Sequence, residues 1–149
     1  MLFRSEAEWE YAIRAESHTA FHPSPGNNGE FNLLDCDGPD WNLDQIAWYC
    51  GNCWLEHEPV GGKEPNDLGL YDLSGNVWEW VWDWYDWDYA PGSFTSPSVN
   101  PEGPDNADER VHRGGARNSS AQDCRSADRR SLEPGYGVYW IGFRLVRSE

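Results

Sequence analysis

The sequence is short of positive charge. Its 149 residues hold 11 Lys and Arg against 26 Asp and Glu, a formal net charge of −15. A surface of that sign repels phosphate backbones and argues against nucleic-acid binding driven by counterion release. Long apolar runs are missing too. None approaches the ~20 residues that a membrane span needs, so no membrane partner is expected. Arg4, Glu6, Glu8 and Glu10 interrupt the start, where a secretory apolar region would lie. No glycine-rich phosphate loop is present, since Gly114-Gly115 is too short for one. His18, His22, His57 and His112 are scattered and carry no nucleophile signature. No EF-hand spacing occurs.

Aromatic side chains are plentiful. Ten Trp, seven Tyr and five Phe argue against disorder, and the length suits one domain with an ordinary core. No repeat, linker or second domain is visible. With few aliphatic residues, the expected core is built from large rings.

There are four cysteines, at 36, 50, 53 and 124. Four thiols allow three pairings into two disulfides, and spacing alone does not choose. Cys50-Gly-Asn-Cys53 is a CxxC with His57 four residues on, but a zinc site would need a fourth donor, from Cys36 or Cys124, and no second CxxC exists. Free buried thiols are the reading taken.

Ser5 followed by Glu8 predicts a helix start, in which hydroxyl and carboxylate satisfy free backbone N–H groups. Glu6 and Glu8 also suit the positive end of the helix dipole. A helix from about Glu6 to Ala15 puts Trp9, Ala12 and Ile13 on one face. From Ser17 to Pro65 the composition is that of loops, with a short helical or extended piece between Leu43 and Tyr49. Trp78, Trp80, Trp82 and Trp84 alternate with Glu79, Val81 and Asp83, which predicts a strand with four rings on one face. Exposed rings could bind sugars or other flat ligands, but core is the reading taken. A long surface loop is expected from Tyr85 to Glu109. Short strands are expected at Arg110–Arg113 and Ile141–Val146.

A turn at Ser74-Gly75-Asn76 could bring the carboxylates of Asp72 and Glu79 together. Backbone carbonyls of Gly75 and Val77 would complete an oxygen cage of the mixed kind that calcium favours. The alternative is two solvated acids.

Seven blocks then occur in order: Ser5-Glu-Ala-Glu-Trp-Glu-Tyr-Ala12, Pro59-Val-Gly61, Pro65-Asn66, Gly69-Leu-Tyr-Asp-Leu-Ser-Gly-Asn-Val-Trp-Glu-Trp80, Arg113-Gly-Gly115, Cys124-Arg-Ser-Ala127 and Ile141-Gly-Phe-Arg-Leu145. Together they resemble the formylglycine-generating enzyme family, the sulfatase-modifying factor domain, over nearly the whole chain. The resemblance implies an α+β, C-type-lectin-like fold, loop-rich with little regular secondary structure. It also implies that a long segment, about the first third of that domain, would precede the first helix, so that the chain is continuous with a further N-terminal part.

Active members oxidise a Cys in a sulfatase peptide with O2 and a copper ion held by two Cys. Aligned without gaps from Arg113-Gly114-Gly115, those two positions fall on Ser119 and Cys124. A hydroxyl beside a single thiolate makes a poor Cu(I) site. The family's calcium loop maps onto Asp72, Gly75, Val77 and Glu79. Other relatives, the variable proteins of diversity-generating retroelements, display ligand-binding residues between the Arg-Gly-Gly and Ile-Gly-Phe-Arg blocks. On that analogy Arg117, Asn118, Tyr136, Tyr139 and Trp140 would meet a peptide, protein or small-molecule ligand. Two functions follow as expectations: an oxidoreductase of the formylglycine-generating type with Cys124 as surviving redox residue, and a non-catalytic binding module.

Overall fold

The computed structural model describes residues 3, 5–22, 36, 38–53, 56–87 and 103–146. Ser5 accepts a hydrogen bond from the Glu8 N–H at 3.1 Å and so starts helix α1, Glu6–Arg14. Trp9, Ala12 and Ile13 are buried on one face, as their spacing predicts. The Asp40 carboxylate accepts from the N–H groups of Asn42 and Leu43 and starts a second, short helix, α2, Trp41–Ile46. This helix runs directly into β1, Ala47–Trp48, so the piece read as helical or extended is both.

β1 pairs in parallel with β2, Ser74–Gly75. Here glycine is required. Gly75 has φ +80°, and an added Cβ would lie 2.0 Å from the Trp48 carbonyl oxygen. Among the described residues the main sheet has four strands: β3 (Trp78–Trp84), β4 (Arg110–Arg113), β5 (Arg130–Leu132) and β6 (Ile141–Phe143), in the order β5-β4-β3-β6. β4 is antiparallel to both β3 and β5, while β6 lies parallel to β3. The strands predicted at Trp78–Trp84 and Arg110–Arg113 are therefore present, and the one predicted at Ile141–Val146 is shorter, ending at Phe143. Of the long loop expected between Tyr85 and Glu109, residues 88–102 lie outside the described residues.

α1 covers one face of this sheet. Phe3, Trp9, Ala12, Ile13, Leu73, Val81 and Val111 form the core between them. A second core gathers Phe21, Leu43, Ile46, Ala47, Tyr49, Cys50, Ala121 and Cys124 beside α2. Cys36 and Cys50 form a disulfide, whereas Cys53 and Cys124 are free and buried. The reading of four free thiols is corrected for the first pair.

The tryptophan ladder needs a larger correction. Glu79, Val81 and Asp83 face α1, and the four Trp rings lie on the opposite side of the sheet. Trp78 is buried but Trp82 is 61% exposed. Polar partners, rather than ring area, choose the face. The Glu79 carboxylate accepts from Trp9 Nε1 at 2.9 Å, and the Asp83 carboxylate accepts from the Glu6 N–H at 2.8 Å. Facing the strand the other way would expose Val81 and leave the α1 terminus without that acceptor. On the outer face Arg110 of β4 stacks on Trp84 and Trp82, 3.7 and 4.6 Å from their centroids.

Buried charge fastens α1 to β4. Glu6 is fully buried and takes a two-pronged contact from Arg129, at 2.6 and 2.8 Å. Arg113, also fully buried, lies 3.3 Å from Glu6 and 2.5 Å from Glu10. Paired in this way, the ions offset part of the cost of leaving water.

Candidate functional site

Three places carry the residues singled out by sequence: the turn from Gly115 to Cys124, the bend from Asp72 to Glu79, and the loop leading to Trp140.

In the first, the Ala116 N–H donates to Ser119 Oγ at 3.0 Å, and the Ser119 N–H donates to the Ala116 carbonyl at 2.8 Å. The serine hydroxyl thus closes a turn. Cys124 ends a 3-10 turn, Ala121–Cys124, and is fully buried in the second core. Its thiol is pushed far up by burial, with Asp123 and Asp128 adding to the effect. An added Cβ on Gly115 would lie 2.5 Å from Cys124 Sγ, so backbone closes over the sulfur. A soft metal needs an accessible thiolate. This pair of residues does not fit copper: one sulfur is sealed and protonated, and the hydroxyl already serves the backbone.

At the bend, Asp72 has φ +57°, and its Oδ2 accepts from the Gly61 N–H at 2.7 Å. Gly75 lies in β2. Val77 is half-buried, and an added Cβ on Gly142 would come within 3.3 Å of its Cγ2. Glu79 is 5% exposed, and its carboxylate is occupied. Besides Trp9, it accepts from Arg144 Nη2 at 2.7 Å and from Arg144 Nε at 3.1 and 3.2 Å. Arg144 Nη2 also donates to the Tyr71 carbonyl at 2.7 Å. A guanidinium therefore bridges the main chain beside Asp72 to Glu79. The guanidinium brings to Glu79 the same sign of charge that a divalent cation would bring, while the buried Asp72 Oδ1 has no hydrogen-bond partner among the described residues.

The third place is the surface. Arg117 is 8% exposed, its N–H donates to the Asn76 carbonyl at 3.0 Å, and its guanidinium lies 5.6 Å from the Tyr139 ring centroid. It acts as a support for that ring. Asn118 is exposed, and Tyr136 and Tyr139 are 61% and 69% exposed. Trp140 is half-buried, with its ring 6.1 Å from His112. The structure thus joins Arg117 to Tyr139 and leaves Asn118, Tyr136 and Tyr139 open.

Two histidines went unassigned by sequence. His57 is exposed, with its ring edge-on to Tyr139 at 6.4 Å. Its only sequence signal was its distance from Cys53. His112 lies against Trp78, Trp80 and Trp140, and burial pushes it down to about 4, with Arg130 contributing. It is a neutral packing ring at neutral pH. Its register opposite Trp80 joins β4 to the ladder.

Residues 3–149 match the sulfatase-modifying factor enzyme 1-like domain. The chain is 34% identical over 152 residues to a formylglycine-generating enzyme of Streptomyces coelicolor, covering 97% of this chain and 46% of that protein. It is 32% identical over 144 residues to the serine/threonine-protein kinase Pkn1 of Chlamydia trachomatis, covering 97% of this chain and 20% of that protein. Among solved structures it resembles Treponema denticola variable protein 1, with a TM-score of 0.75 and 32% identity over 96% of this chain and 45% of the other. The chain therefore spans half or less of the length of these relatives.

Proposed function

Since the chain belongs to the sulfatase-modifying factor family, we propose that it uses that scaffold as a non-catalytic binding module for a basic or neutral polypeptide. The observation that carries the reading is a contrast within one segment. The sulfur that redox chemistry would use is buried, while Tyr136 and Tyr139, further along the same segment, are exposed and Tyr139 has the Arg117 guanidinium beside its ring. Loops that display aromatic rings from a fixed scaffold are a common way to build an adaptable contact surface, because tyrosine offers large area at low entropic cost.

The contact surface comprises Asn118, Tyr136 and Tyr139, with His57 at its edge. Arg117 supports Tyr139 from below. A net charge of −15 favours ligands without excess negative charge and accelerates encounter with basic ones.

Two measurements test this. A Cys-x-Pro-x-Arg peptide incubated with the protein, Cu(I) and O2 is expected to show no formylglycine by mass spectrometry. Ser119→Cys is expected not to create it, since Cys124 stays enclosed. Conversion by either protein refutes the binding-only reading. In parallel, a library of basic and neutral peptides is screened on the immobilised protein. Binders are expected to weaken at least tenfold on Tyr136→Ala/Tyr139→Ala replacement and to weaken with added salt. A library with no tyrosine-dependent binder counts against the proposed surface.

A further inference from the structure

Cys53 is the one cysteine for which neither site nor core gives a use. It lies three residues after a disulfide-bonded cysteine, in the turn Tyr49–Cys53. That turn is tightly folded: the Tyr49 carbonyl accepts from both the Asn52 N–H at 3.0 Å and the Cys53 N–H at 2.8 Å. The Asn52 side chain closes it from the other side, accepting from the Tyr49 N–H at 2.9 Å. A turn of this kind holds Cα atoms three residues apart within about 7 Å, and a disulfide spans about 4.4–6.8 Å. Gly51 lets the turn pack closely, since an added Cβ would come within 2.7 Å of the Gly38 carbonyl, two residues from Cys36. The Cys53 thiol lies 3.2 Å from the Glu56 carbonyl and 3.7 Å from a Glu58 carboxylate oxygen, which can take its proton.

We propose that Cys36, Cys50 and Cys53 form a thiol–disulfide exchange site, in which Cys53 displaces Cys36 from Cys50. The step balances without an outside oxidant. The Cys53 thiol gives up its proton to Glu58 or to water. The thiolate pair forms the new Cys50–Cys53 bond, the Cys36–Cys50 bond breaks with its electron pair on Cys36 sulfur, and that sulfur takes up a proton. The covalent loop shrinks from a sequence separation of 14 to a CxxC, and Cys36 is released from the second core. The Cys50 N–H donates to the Ser119 carbonyl at 3.0 Å, so the exchange takes place beneath the turn that begins the proposed contact surface.

The other free thiol is a poorer attacker. Cys124 is fully buried, and burial and two acidic neighbours hold it protonated. Burial and Glu58 also raise Cys53, but Arg117 and Lys63 oppose that rise.

The test uses the full, folded chain in oxygen-free buffer containing a chelator. Samples incubated between pH 7 and 9 are acid-quenched, alkylated in denaturant and mapped without reduction. The resting protein labels at Cys53 and Cys124. The expected change is label appearing on Cys36 as it disappears one for one from Cys53, with a Cys50–Cys53 peptide replacing Cys36–Cys50. Below the Cys53 pKa the initial rate rises about tenfold per pH unit, because the thiolate is the nucleophile. Cys124→Ser is expected to leave the swap intact, and Cys53→Ser or Cys53→Ala to abolish it. An unlabelled Cys36 throughout, in protein that keeps its near-ultraviolet circular dichroism, overturns the proposal. So does Cys36 label that grows in a Cys53 variant, or at the expense of Cys124. The one-for-one swap in the unmodified chain decides the question even where a variant does not fold.

Discussion

Asp83 offers a stability prediction whose sign can be worked out in full. Its carboxylate is 3% exposed and accepts from the Glu6 N–H at the start of α1. Burial pushes it up from 3.8 to about 6, and the nearby Glu6 and Glu8 carboxylates add to this, while the Glu6 N–H and Arg110 oppose it. The folded state therefore holds a proton on Asp83 at pH values where the unfolded chain has released it. Between about 4 and 6 the folded protein binds more protons, so this group's contribution to stability falls as pH rises through that window. Above pH 6 the charged Asp83 stays buried, at a cost relative to low pH of about 2 pKa units, or ~3 kcal/mol. Asp83→Asn keeps an oxygen for the Glu6 N–H and removes the charge. The expected result is a variant similar to the parent near pH 4 and more stable by ~2–3 kcal/mol at pH 7.5. Urea unfolding followed by tryptophan fluorescence at pH 4, 5, 6 and 7.5 measures both proteins. Subtracting the curves cancels the self-repulsion of the −15 chain. A difference that is flat with pH, or a variant that loses more stability at pH 7.5 than at pH 4, refutes the reasoning.

Two further outcomes follow from the bend and the ladder. Arg144→Met leaves Glu79 buried without its cation and should cost ~3–5 kcal/mol, whereas millimolar calcium should leave the Tm of the unmodified protein unchanged in differential scanning fluorimetry; a calcium-dependent rise that disappears in Glu79→Gln would mean the ion displaces the guanidinium. Trp82→Ser should cost only ~1 kcal/mol, since the ring is 61% exposed and loses mainly its contact with Arg110, while Trp9→Ala should cost ~3–5 kcal/mol in the same urea titration.

Sequence showed the local elements clearly and the choice between faces poorly. The α1 start was legible because capping is a local matter: Ser5 and Glu8 sit three residues apart and meet in one turn. The period-2 run at Trp78–Trp84 was legible as a strand for the same reason. Which of its faces is buried was not legible, because Trp9 and Arg144, the partners of Glu79, come from positions 70 residues before and 65 after it. Area alone favours burying tryptophan, and only the distant donors reverse that choice. The Cys36–Cys50 disulfide was hidden likewise, since four cysteines permit several pairings and the backbone selects one. At the bend by Asp72 and Glu79, where sequence suggested calcium, the Arg144 guanidinium sits on the Glu79 carboxylate. Two carboxylates near a turn say that positive charge belongs there, and not whether an ion or a side chain supplies it.

That last point extends to the whole molecule. Of the 11 Lys and Arg, seven form ion pairs: Arg14, Lys63, Arg113, Arg125, Arg129, Arg130 and Arg144. Arg110 and Arg117 lie against aromatic rings. Arg4 and Arg147 fall outside the described residues, so every described cation is tied to an acid or a ring. In a chain so acidic, guanidinium groups are a scarce resource, and those of Arg113, Arg129 and Arg144 are placed where planar forks satisfy the buried carboxylates of Glu6 and Glu79. Several residues that carry the family resemblance, among them Glu6, Glu79, Arg113 and Arg144, are those that hold these pairs. The resemblance therefore follows the framework and can persist whether or not a metal site is present. On this chain the framework keeps its charges paired, encloses the Cys124 sulfur and leaves Tyr136 and Tyr139 outward.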